Sequence, residues 1–130
     1  MYATTSAARS AASAYRDNAV ATASPARLLV MLVERLVLDV ERGLTAQQAA
    51  DWPAAHRHLL HAQDIVNELE TSLDVDAMPA GRQLAAIYSF LRGQLVDANI
   101  RRDSATTGQA LSLARQIADT WRQAAMAAAQ

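Results

Sequence analysis

The sequence predicts an all-α fold, an antiparallel four-helix bundle preceded by a mobile N-terminal tail. Three observations carry this. No stretch of the 130 residues alternates apolar and polar side chains as a half-buried strand does. Proline, glycine and capping residues cut the chain into helical segments whose apolar side chains recur every three or four positions. The connections between segments are short, which makes sequence neighbours antiparallel neighbours in space.

Residues 1–23 form the tail and residues 24–127 the bundle domain. Ala, Ser and Thr dominate the tail and bury too little apolar area to fold alone, while Tyr2 and Tyr15 are large enough to anchor it on a folded body. Ser24 and Pro25 open the first helix: the hydroxyl can accept a bond from a free backbone N–H, and proline at the first position has no donor to waste. This helix runs to about residue 49. Asp51, with Pro53 in the first turn, caps the second, whose core face is Ala55, Leu59, Ala62, Val66, Leu69 and Leu73. Residues 74–81, with Pro79 and Gly81, are a connection. The third helix then has the stripe Leu84, Ile87, Tyr88, Leu91, Leu95 and Ala98. Asp103 or Ser104 caps the fourth, whose stripe is Ala110, Ala114, Ile117, Trp121 and Ala124 and which frays toward its Ala-rich end.

Composition excludes several functions. Twelve basic residues, all arginine and scattered, balance 13 acidic ones, so nothing draws the chain to nucleic acid or an anionic membrane. The longest apolar run, residues 28–33, is far short of the roughly 20 residues that cross a bilayer, and no secretory signal pattern opens the chain. Without cysteine there is no disulfide and no thiolate nucleophile. Phosphate-binding glycine loops and a nucleophile elbow are absent, so no catalytic residue and no cofactor is assigned. His56, His58 and His61 lie at the flank and outside of the second helix and read as a solvated face. The alternative function is a metal- or cofactor-binding bundle using His58, His61 and Asp64, but no Glu is followed three residues later by His, as di-iron bundles require. Trp52 reads as a staple of its turn, Trp121 as packing, and Arg101 with Arg102 as cations at a helix C-terminus.

Two helices carry more apolar surface than a bundle needs. In the first, Leu28, Leu29, Leu32, Val33, Leu36, Val37, Val40 and Leu44 spread over about half the circumference, against a core stripe of about 100°. In the third, Ala86, Phe90, Gly93 and Ile100 form a second line away from the core stripe, and Gly93 leaves a flat spot where another backbone can approach closely. Such faces suit amphipathic helices of a partner laid into grooves. The candidate partner-binding residues are Leu29, Val33 and Val37 of the first helix and Tyr88, Phe90, Gly93 and Ile100 of the third, with Tyr15 anchoring the tail as a cover. A self-associating homodimer without client is the third reading.

Several blocks resemble one family. Residues 15–25, from Tyr15 through Ser24 and Pro25, are followed by Leu28, Leu29, Met31 and Leu32. Ala62 to Ile65 comes next with Leu69, Ser72 and Leu73, then the block from Leu95 to Asp103, then Trp121 to Ala124. In order and spacing these resemble the flagellar secretion chaperone family FliS over roughly residues 2–125. The resemblance implies a non-enzymatic cytoplasmic chaperone that binds the C-terminal region of flagellin, masks its polymerising surface and engages the cytoplasmic domain of the flagellar type III export gate. Where the family often has a tyrosine-rich run and two arginines, this chain has Tyr88, Phe90, Arg92 and Gly93. That implies a more apolar, less charged groove.

Overall fold

The computed structural model describes residues 24–129. Four helices follow in order: α1 (Pro25–Gln48), α2 (Trp52–Ser72), α3 (Gly81–Arg101) and α4 (Ser104–Ala129). Each helix touches two others, α1 with α2 and α4, and α3 with α2 and α4. The helices therefore stand at the corners of a square, α1 diagonal to α3 and α2 diagonal to α4. The architecture is the expected four-helix bundle, and residues 1–23, Tyr15 among them, lie outside the described residues.

The starts of the helices obey local chemistry. Ser24 Oγ accepts from the Arg27 N–H at 3.2 Å, and Asp51 Oδ1 from the Ala54 N–H at 3.2 Å. Of the two candidate caps for α4, Asp103 does the work. Its carboxylate accepts from the Ala105 and Thr106 N–H groups and, at 2.8 Å, from the Thr106 hydroxyl. These bonds, the Thr106 side chain's first, hold the Asp103 carboxyl below the usual aspartate range.

Two tight turns close the hairpins α1–α2 and α3–α4 at the same end of the bundle. Each carries a non-glycine residue in the left-handed region, Ala50 at φ 55° and Arg102 at φ 54°. The next N–H reaches back five residues in both, from Asp51 to the Ala46 carbonyl at 2.8 Å and from Asp103 to the Ala98 carbonyl at 3.0 Å. A left-handed alanine costs roughly 1–2 kcal/mol, part of which glycine returns through its freer unfolded chain. Ala50→Gly is expected to stabilise the bundle by about 0.5–1 kcal/mol, read from urea unfolding.

At the opposite end, residues 73–80 link α2 to α3. The Asp74 carboxylate accepts from the Asp76 N–H at 3.2 Å, and the chain folds over Gly81. A Cβ on Gly81 would run into the Val75 carbonyl and lie 2.8 Å from its Cα, all backbone atoms with nowhere to go. Gly81→Ala is expected to cost about 1–2 kcal/mol and to loosen this link, visible as faster amide exchange across residues 73–81.

The core consists of Val33, Leu36 and Val40 from α1, Leu59, Ala62, Ile65, Val66 and Leu69 from α2, Tyr88, Leu91 and Leu95 from α3, and Ala110, Leu111, Ala114, Ile117 and Ala118 from α4. Most of the expected stripe positions are there. Ile87 is not, being 39% exposed, and Ala124 is exposed as well. Leu111 and Ala118 are buried as well, on the same side of α4 as Thr107, Ala110, Ala114 and Ile117. The helix does not fray early; it continues to Ala129.

Candidate partner-binding surface

The outer side of α3 is set by its inner side. Tyr88, Leu91, Leu95 and Ala98 point into the core, which leaves Phe90, Gly93 and Ile100 facing away from it. Phe90 is 62% exposed and Ile100 76%. Apart from its chain neighbours and the adjoining backbone of α3, no atom lies within 4 Å of a Cβ placed on Gly93, so no other group covers the backbone there. The three residues share one face over about 15 Å of helix at 1.5 Å per residue. Val96 adds to it, and the periodicity held the signal, since Val96 stands four residues before Ile100. Asp97, paired with Arg101 at 3.4 Å, is the charged interruption in this line. Arg92 turns toward α2, where its Nε donates to Glu70 at 2.6 Å.

Other expected surface residues are placed differently. Val33 and Tyr88 have exposures of 0% and 1%; both are core residues and offer no surface to a partner. Tyr88 is held inside by its ring and by its hydroxyl, which accepts from Trp121 Nε1 at 3.0 Å. Burial pushes its phenol above the ordinary tyrosine value, against the opposite pull of the Trp121 bond. Leu29 and Val37 are half-buried against the core. The α1 and α3 sets do not form one groove, because those helices occupy opposite corners of the bundle.

The histidines are not simply solvated. His61 Nδ1 bonds the carboxylate of Asp39, a residue of α1 with 0% exposure, and Arg35 Nε donates to the same carboxylate at 3.2 Å. His56 Nδ1 meets the Asn99 amide at 3.0 Å. Burial first, then Arg57, lowers the His58 imidazole below its ordinary value. Among the described residues no three His, Asp or Glu side chains are gathered as a metal-ligand set. Nor is any described helix long and apolar enough to cross a membrane.

At the end where the two hairpins turn, polar bonds join them. Gln47, buried in α1, donates to the Ala98 carbonyl at 3.1 Å and accepts from the Thr107 hydroxyl at 2.6 Å. The Arg102 guanidinium lies 4.7 Å from the centre of the Trp52 ring. Trp52 thus supports the opposite hairpin rather than merely its own turn, a contact worth about 0.5–1 kcal/mol at an exposed site. At the other end, Ser24, the N-cap of α1, and Val30 within α1 line a mainly apolar cleft of about 380 Å³ together with Arg122 and Met126 of α4.

The family model described as flagellar protein FliS matches residues 7–128. The flagellar secretion chaperone FliS of Bacillus subtilis is 28% identical over 111 residues, covering 85% of this chain and 83% of the relative. Its namesake from Escherichia coli is 30% identical over 109 residues, covering 82% and 80%. With the match running through all four helices, this chain belongs to the FliS family of flagellar secretion chaperones.

Proposed function

We propose that this chain binds the C-terminal helical region of flagellin in the cytoplasm, prevents its premature polymerisation and delivers it to the cytoplasmic domain of the flagellar export gate. The outer face of α3 supports this reading. Phe90 and Ile100 are the most exposed large apolar side chains of their helix, on a bundle whose core is already filled by other residues. An amphipathic client helix crossing at Gly93 would bring its backbone against bare backbone and bury both anchors, each contributing about 1.5–3 kcal/mol. The work is recognition rather than catalysis.

Residues 1–23 would act as the cover, with Tyr15 shielding part of the apolar surface until client displaces it. Ser24, the first described residue, lies on the rim of the cleft with Met126, and a segment of 23 residues at about 3.3 Å each is long enough to reach across the molecule. The direct test is capture of the C-terminal segment of the cognate flagellin by the full chain. Saturable one-to-one binding at micromolar concentration or tighter supports the reading, and no binding to any cognate flagellin ends it. Molecular mass in solution with and without that segment separates it from a self-associating scaffold.

A further inference from the structure

We propose that the cleft at the turn end of the bundle is a docking site for an acidic peptide segment of a partner protein, its carboxylate taken by Arg102 and a neighbouring aliphatic side chain by Ile100 and Pro53. The cleft holds about 510 Å³ between the two hairpin turns, with Trp52, Pro53 and His56 from α2 on one side and Asn99, Ile100 and Arg102 on the other. The site is built around one cation. Arg102 is fixed at a left-handed helix end and its guanidinium rests on the Trp52 ring. Arg102 is exposed as a residue, so N–H groups of the kind that fork onto a carboxylate remain open to solvent beside that ring.

The nearby carboxylates are engaged elsewhere. Asp103 caps α4, Asp51 caps α2 and Asp97 pairs with Arg101. Arg102 takes part in none of the ion pairs found among the described residues. Charge complementarity therefore calls for an anion. The surroundings call for a peptide one, since Ile100 and Pro53 are apolar and the balanced charge of the chain gives a phosphate backbone or an anionic lipid surface nothing further to hold. The site meets the α3 outer face at Ile100 but requires no particular client, and its test uses no flagellin.

The chain contains two tryptophans, so nitrogen-15-labelled full-length protein gives two indole N–H signals, assigned with Trp52→Phe. The probe is an acetylated, amidated peptide with one Asp beside two Leu, against the same peptide with Asn and against inorganic phosphate. The acidic peptide is expected to shift the Trp52 signal saturably, with the Asn peptide at least about tenfold weaker and phosphate weaker still. Arg102→Gly removes the fork while relieving the left-handed backbone, so it keeps the fold; it should abolish the shift, and Arg102→Lys should restore only part of it. Equal binding of the Asp and Asn peptides, unchanged binding by Arg102→Gly, or phosphate matching the acidic peptide would each overturn the proposal.

Discussion

Phe90→Asp is expected to weaken binding of the C-terminal flagellin segment by about 100-fold, roughly 2.8 kcal/mol, with helix content and unfolding midpoint nearly unchanged. The stability half follows from exposure: a side chain 62% open to solvent contributes little to folding. The binding half follows from what the substitution buries, since it removes a large apolar anchor and leaves a carboxylate under the client. Gln109→Asp, an equally acidic change at an exposed position on α4, should leave affinity intact. Gly93→Leu should reduce affinity about tenfold by lifting the client backbone, while gaining helix propensity. Calorimetric titration with the flagellin segment measures all three. If Phe90→Asp binds as the parent does, the α3 outer face is not the client surface.

The second large effect lies in the α1–α2 seam. His61→Leu is expected to destabilise the bundle by about 2–3 kcal/mol, because it strips a partner from a carboxylate with no exposure of its own. Arg35 remains at 3.2 Å, which keeps the loss at the lower end of that for breaking a buried pair. The double change Asp39→Leu with His61→Leu should recover most of the loss, since apolar groups of similar volume need no partners. Urea unfolding of the two single variants and the double variant decides it. A cost below about 0.5 kcal/mol for His61→Leu would mean that Arg35 and solvent already satisfy Asp39.

The ends of the helices were legible because their causes are local. Ser24, Asp51 and Asp103 each bond an N–H two or three residues away, and a reader of the sequence sees both partners at once. The rotation of each helix about its axis was less legible. In α4 the expected stripe ran on to Ala124, which is exposed, and left out Leu111 and Ala118, which are buried beside Ala110, Ala114 and Ile117; packing against α1 and α3 sets that rotation. The same ambiguity affected α3, where Tyr88 was placed both in the core stripe and on the client face. Asp39 and Gln47 were missed although the pattern hints at them: with Leu36, Val40 and Gly43 they stand on the buried side of α1. Their partners are 22 and 51 residues away, a distance over which one sequence does not pair side chains.

The two matching hairpin turns have a mechanical consequence. At their end, four contacts cross from one hairpin to the other: Gln47 to Ala98, Thr107 to Gln47, His56 to Asn99, and Arg102 on Trp52. That end is riveted. At the far end stand the loop of residues 73–80, the beginning of α1 and the last turns of α4, around the mainly apolar Met126 cleft. The far end is held differently, by the covalent loop itself and by the Arg92–Glu70 and Arg122–Glu34 ion pairs between the hairpins, so parting the helices there would break ion pairs and uncover core side chains while the turn end keeps the hairpins in register.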